Sequence, residues 1–334
     1  MAKLRLGVIG AGSWTVSSHL PNLQRHADEV EFVIVNRRNP ELLEKIRSNF
    51  GFAKASTDWR DVIAERPDIV VVGSPPGYHW EQSKAALEAG AHVMCEKPFT
   101  IDPAHAWDLD ETAKRTGKSL ILSYGWNYRP MVVQANRLLH EDGGIGDIEH
   151  VALHMDSVTR ELLSETGAYP QSAPEYIPQP DTWSRSETSG GGYGQAQLTH
   201  LLGVSLWLTG LRGQDVFAFM SAPLDAKVEL HDAVSIRYTN GAIGTMSGAS
   251  SHLGGANNRH AVEVDVYALD RTQRVRLGSV PARRTRTLVI PPQLLGDGRG
   301  RLRFQAEALG SGNLLAGEEE LLVREGEALS LTLQ

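Results

Sequence analysis

Two hydrophobic rhythms divide the chain. Through about Tyr124, short apolar runs alternate with amphipathic stretches: Leu4-Arg5-Leu6-Gly7-Val8-Ile9, Val30-Glu31-Phe32-Val33-Ile34-Val35, Ile69-Val70-Val71-Val72-Gly73, Ala91-His92-Val93-Met94 and Ser119-Leu120-Ile121-Leu122-Ser123-Tyr124. Runs this uniformly apolar read as strands buried on both faces, and helices between them predict a parallel sheet. Glu81–Ala89 reads as one such helix, with Gly90 as its C-cap. After Gly146 the period becomes two. Val151, Leu153 and Met155 alternate with Ala152, His154 and Asp156, which predicts a half-buried antiparallel strand. Asn240-Gly241, between Ile236-Arg237-Tyr238-Thr239 and Ala242-Ile243-Gly244-Thr245-Met246, predicts a hairpin turn.

The ends of the early strands carry the candidate chemistry, because open α/β sheets bind ligands beyond the carboxyl ends of their strands. Gly10-Ala11-Gly12-Ser13-Trp14-Thr15 sits between the first strand and a helix that carries His19. Gly10 permits a tight turn, and Gly12 lets backbone amides approach a pyrophosphate at the helix N-terminus, with Ser13 and Trp14 beside it. The third glycine of such a loop is Thr15 here, which predicts a slightly wider gap between helix and strand. The second strand ends in Asn36-Arg37-Arg38-Asn39, with no acid before Glu41 to hold ribose hydroxyls. Arg37 and Arg38 suit a 2′-phosphate, so NADP(H) is the favoured cofactor and NAD(H) the other. Ser74, Pro75 and His79 follow the next strand and are candidates for the nicotinamide side. Cys95-Glu96-Lys97-Pro98 closes a strand, so Glu96 and Lys97 reach the same crevice.

These motifs, in this order, resemble the glucose–fructose oxidoreductase / inositol dehydrogenase / MocA family: the glycine loop, Ser74-Pro75-Pro76-Gly77-Tyr78-His79, Glu96-Lys97-Pro98, and Gly190-Gly191-Gly192 leading to His200. The resemblance runs from the N-terminus to about Asn240-Gly241. It implies an α/β fold, with an N-terminal Rossmann dinucleotide-binding domain over 1–125. A C-terminal α+β domain over 126–334 would follow, with a large, mostly antiparallel open sheet. It further implies hydride transfer between NAD(P) and a polyhydroxylated substrate, a sugar or cyclitol, with Lys97 and His200 in acid/base and alkoxide-stabilising roles. Asn127 and Arg129, in the bridge Trp126-Asn127-Tyr128-Arg129-Pro130, would reach cofactor or substrate, and Trp126 would pack there. Many relatives carry an Asp four residues before the His, where this chain has Ala196. Gln197, one helical turn before His200, is the candidate replacement. Pairing of second-domain sheets would make a homodimer or homotetramer.

Bulk properties bound the alternatives. With 334 residues, 41% apolar and a net charge of −7, the chain is long enough for two domains and unsuited to nucleic acid. Cys95 is the only cysteine, which excludes a disulfide framework, and no ligand-spaced cluster suggests a metal. No apolar span or leader is evident, so no membrane role and a cytoplasmic location are expected. The Pro-rich stretch from Thr159 to Ser189 reads as a substrate-side flap, with Tyr169 and Trp183 as sugar-stacking surfaces. Leu294–Gly300 is Gly-rich, and Val323–Leu333 reads as strand where relatives end in a helix. Two other functions stay open: a redox-neutral sugar-modifying enzyme with tightly bound NAD(P), and a non-catalytic NADP-binding regulatory protein.

Overall fold

The computed structural model describes residues 2–141, 144–166 and 182–250, together with the strands beyond 252. Residues 1–251 form one compact unit and residues 252–334 another. The first unit opens with six parallel strands: β1 (Leu4–Ile9), β2 (Val30–Asn36), β3 (Lys54–Ser56), β4 (Ile69–Val72), β5 (His92–Cys95) and β6 (Leu120–Leu122), in the order β3-β2-β1-β4-β5-β6. The order reverses between β1 and β4, which opens a crevice at their carboxyl ends. Successive residues of β1 serve opposite faces. Leu6 and Val8 join one core with Phe32, Val35 and Ile46, while Ile9 joins another with Val70, Val72, Leu87 and Leu109. Helices α1 (Leu20–Gln24) and α2 (Pro40–Phe50) belong to the first core. The second takes α3 (Arg60–Ala64), α4 (His79–Glu88) and α5 (Pro103–Thr116).

Local chemistry fixes these helix ends. The Asn39 side chain accepts the Leu42 N–H, Pro40 follows it, and Gly51 terminates α2 at φ 75°. Asp102 caps α5 in the same way through the Ala104 N–H.

The chain leaves β6 through a tight turn at Gly125–Tyr128 and α6 (Pro130–His140). A four-stranded sheet follows, built from β7 (His150–Ser157), β8 (Gly213–Ser221), β9 (His231–Tyr238) and β10 (Ile243–Ser250) in the order β7-β10-β9-β8. Three short segments lie between β7 and β8: α7 (Arg160–Leu163), α8 (Ser186–Ser189) and the longer α9 (Thr199–Thr209). Asn240-Gly241 makes the hairpin between β9 and β10, with Gly241 at φ 90°. The expectation for β7 is half right. Its residues alternate exposed and half-buried, but it pairs with β10 in parallel. Alternation reports which face is buried and carries no information on the neighbour's direction. The sheet is therefore mixed, over a core of Leu163, Tyr193, Leu198, Leu230 and Met246.

In the second unit, Glu263–Leu269, Arg274–Pro281, Arg299–Ala308 and Glu319–Arg324 pair antiparallel, and Thr285–Leu288 pairs with Leu329–Thr332. The extended reading of the tail holds in its described residues.

Candidate active site

The glycine loop is built by sterics. At Gly10, φ is 76° and a Cβ would stand 2.4 Å from the Ser74 nitrogen, so only glycine closes this turn against the end of β4. The third-position Thr15 does not push the helix away. It is buried, donates from Oγ1 to the Gly10 carbonyl at 3.2 Å, and occupies the space where Gly73 lacks a side chain. A Cβ at Gly73 would lie 2.1 Å from that Oγ1. The missing glycine has been moved to the neighbouring strand. A wider helical turn over Thr15–His19 continues into α1, and the free amides at the start of such a helix are where an anion would bind. Trp14 is half exposed beside it.

Several expected cofactor contacts are committed to the protein itself. Asn36 is buried; its Oδ1 accepts the Gly10 N–H at 3.3 Å and its Nδ2 donates to Ser56. Arg37 donates to the Ala11 carbonyl, whereas Arg38 is exposed. Ser74 Oγ donates to Gln82 Oε1 at 2.6 Å. His79 corrects the expectation most clearly. It has no exposed surface: Nε2 lies 2.7 Å from the Ser74 carbonyl, and Nδ1 lies 2.9 and 3.0 Å from those of Pro98 and Phe99. Burial lowers its pKa against the pull of those carbonyls. It ties the turn after β4 to the turn after Lys97 and cannot line the nicotinamide.

Lys97 stands at the end of β5, ahead of a cis Lys97-Pro98 bond. Its Nζ donates to the Ala196 carbonyl at 3.1 Å. Burial pulls its pKa down, and Glu96 pulls the other way. Ala196 lies in a wide turn, Gly194–Leu198, that runs straight into α9 and His200. Two more bonds tie this turn and helix to the nucleotide half: Gln195 Nε2 donates to Thr100 at 3.1 Å, and the Tyr124 and Thr199 hydroxyls lie 2.6 Å apart.

His200 stacks on Trp126, with ring centroids 5.2 Å apart and planes 21° from parallel. The Tyr124 ring stands edge-on at 6.3 Å, and the Arg129 guanidinium lies 5.8 Å from the Trp126 ring centre. His200 Nδ1 is buried without a hydrogen-bond partner, and so is Asn127 Oδ1. Such orphaned atoms mark positions that a ligand completes. Burial, and then the Lys97 charge, push the His200 pKa down to about 3. The imidazole is therefore neutral across the physiological range, which replaces the near-neutral titration expected from its ordinary value. Gln197 is partly exposed in the same wide turn. Trp183 packs against the core under the mixed sheet, and Tyr169 lies outside the described residues.

Sequence reasoning missed two groups. The Glu229 carboxylate accepts the N–H groups of Gly192, at 3.0 Å, and Gly194, at 3.2 Å, and so anchors the triglycine turn that carries α9. Beside it, Asp232 is buried with Oδ2 unpaired, and desolvation followed by the Glu229 charge raise its pKa to about 6. Only spatial proximity reveals them. The second is His19, whose Nε2 lies 2.5 Å from Glu96 Oε1; one histidine in the loop's own helix was the available signal.

The residues present fit a dinucleotide, with a tight turn at Gly10 that no Cβ could enter and orphaned polar atoms at His200 and Asn127. Residues 4–124 match a family model described as an oxidoreductase family with an NAD-binding Rossmann fold. Residues 133–267 match the GFO/IDH/MocA C-terminal domain. The chain is similar to the D-glucoside 3-dehydrogenase of Escherichia coli, 33% identical over 150 residues, 43% of this chain and 41% of that protein. It is also similar to the levoglucosan dehydrogenase of Pseudarthrobacter phenanthrenivorans, 28% identical over 260 residues, 69% of this chain and 62% of that protein. It thus spans less than two thirds of either relative. The WlbA dehydrogenase of Bordetella pertussis, solved with NADH and UDP-GlcNAcA, has the same fold: TM-score 0.65, 21% identity, covering 83% of this chain and 77% of that one.

Proposed function

The chain belongs to the glucose–fructose oxidoreductase / inositol dehydrogenase / MocA family, and we propose that it moves a hydride between a nicotinamide dinucleotide and a secondary alcohol or ketone of a sugar or cyclitol. The observation that carries this reading is the orphaned, buried Nδ1 of His200 beside the Lys97 ammonium. Nicotinamide, when bound, supplies or accepts the hydride at its C4.

The protein's share is the proton and the oxygen. The Lys97 charge suppresses protonation of His200, so the one proton the pair can take up goes to Lys97 rather than to His200. In oxidation, the substrate hydroxyl binds between the two. Lys97, its pKa lowered by burial, takes the proton as the amine and stabilises the alkoxide as the ammonium. Neutral His200 holds the same oxygen through Nδ1, and the Trp126 stack fixes the ring plane. Reduction returns the proton from Lys97. Gln197 and Arg129 orient the remaining hydroxyls, and Asn127 Oδ1 accepts from the nicotinamide side.

NADP(H) is the preferred dinucleotide in this reading, with exposed Arg38 as the 2′-phosphate ligand; Arg37 shapes the loop through Ala11. The division near 125 separates nucleotide and substrate functions. Exposed Val216, Phe217, Phe219 and Met220 on β8 support pairing of two copies through the second sheet. Among the described residues no helix is long and apolar enough to cross a membrane, and a cytoplasmic location belongs to the same proposal. The test is a screen of sugars and cyclitols with NADP+ and NAD+, read at the nicotinamide absorbance. Turnover of any polyol that is lost in Lys97→Ala supports the assignment. Turnover that survives in Lys97→Ala overturns it.

A further inference from the structure

The helix that begins at the glycine loop makes one charged contact with the Lys97 segment. His19 Nε2 lies 2.5 Å from Glu96 Oε1, and the two side chains are only 14% and 10% exposed. The other Glu96 oxygen, Oε2, accepts the backbone N–H of Lys97 at 3.0 Å. An ionised carboxylate only accepts, so the imidazole donates to one oxygen and the Lys97 amide to the other. Each oxygen thus has one partner within the protein. The same segment is held by main chain, since the Glu96 N–H donates to Val72 at 2.9 Å. From the dinucleotide loop, the path is short and covalent as far as His19, then runs through two charge-assisted hydrogen bonds to the Lys97 backbone.

We propose that His19 and Glu96 are positioning residues that couple seating of the dinucleotide to the placement of Lys97. The coupling rests on the proposed function for its role, but the clamp itself does not. A dinucleotide pyrophosphate orders the loop and the first turns of its helix. His19 rides on those turns, and any shift of its ring moves the carboxylate that holds the Lys97 amide. Lys97 then takes its working position only when the cofactor is seated, which keeps the amine from acting on substrate in an empty site. The bonds are short and shielded from water, the condition under which a small displacement at one end carries to the other.

The test is hydrogen–deuterium exchange of the full chain, read by mass spectrometry over 93–98, where the Lys97 amide reports the clamp directly. His19→Met should speed exchange there by about tenfold or more, the factor carried by one lost charge-assisted hydrogen bond, and leave β1 and β4 unchanged. His19→Gln, which keeps an N–H near the position of Nε2, should restore protection. Saturating NADPH or NADH should protect both 11–19 and 93–98 in the wild type, but only 11–19 in His19→Met. If His19→Met does not fold, Glu96→Gln is read the same way. Unchanged exchange at 93–98, or equal acceleration in every peptide as simple loss of packing would give, overturns the clamp. Retained cofactor protection at 93–98 in His19→Met overturns the coupling. Failure of the wild type to bind either dinucleotide would instead sink the oxidoreductase reading, and the cofactor-free exchange would still decide the clamp.

Discussion

Desolvation is the first cause that lowers the pKa of both His79, which is fully buried, and His200, which is partly buried, yet their surroundings are opposite. Around His79 every ring nitrogen faces a backbone carbonyl, and no surface remains. Around His200 one face is covered by Trp126 while Nδ1 has nothing to bond. A low pKa alone would rank them alike. What separates structure from chemistry here is whether the ring is already enclosed by fixed protein groups or leaves an unpaired nitrogen that a partner from outside can complete.

The largest test of this contrast is on turnover. Lys97→Ala should lower kcat by about 10²–10³-fold and His200→Ala by roughly 10²-fold, with dinucleotide Kd nearly unchanged in both. His79→Ala should do the reverse, losing about 2–4 kcal/mol in urea unfolding because a buried ring and the one N–H it donates to the enclosing carbonyls are lost, while activity per folded molecule falls less than about tenfold. If His79→Ala destroys chemistry without destabilising the fold, the contrast is wrong.

A second test concerns acid sensitivity. The folded-state pKa of His200 is depressed, so the unfolded chain takes up the proton first. Stability is then full above the unfolded value, about 6.5, and is lost as pH falls towards about 3. Asp232 runs oppositely. Its folded pKa of about 6 exceeds the unfolded one, so its contribution is present below about 3.9 and is lost as pH rises through 6. Asp232→Asn should therefore stabilise the protein at pH 7–8 by about 1–3 kcal/mol, measured by urea titration. No gain at that pH would mean that the carboxylate is solvated or paired.

Smaller effects sharpen the site. Ala196→Asp sets a carboxylate beside the Lys97 amine and should move the ascending limb of the oxidation pH profile upward by about one unit. Arg38→Ala should weaken NADPH by about 1.5–3 kcal/mol and leave NADH unaffected, as seen by calorimetry. Equal losses for both would assign Arg38 to the loop rather than to a phosphate.

The strands were legible because β1, β2 and β4 are buried on both faces and their apolar runs admit little else. The glycine loop and the Lys97 and His200 segments were legible for a related reason, since each motif sits at a strand end or helix start that the pattern locates. What stayed hidden depends on partners distant in sequence. Nothing at Thr15 announces that Gly73 gives it room, and nothing at His79 announces that carbonyls of Pro98 and Phe99 enclose it. The change to Ala196 was visible, but its consequence was not. Every residue has a carbonyl, and only the fold turns this one towards Lys97. The direction of β7 was unreadable for the same reason, because β10 follows it only after α9, β8 and β9.

The central claim is that Lys97 and His200 act on one substrate oxygen, and a crystal structure with NADPH and a polyol the enzyme turns over tests it most directly. The account predicts a secondary hydroxyl within about 2.6–3.2 Å of both Lys97 Nζ and His200 Nδ1, with the Lys97 bond to Ala196 loosened or shared. A polyol bound elsewhere, with His200 Nδ1 still unpaired, would contradict it.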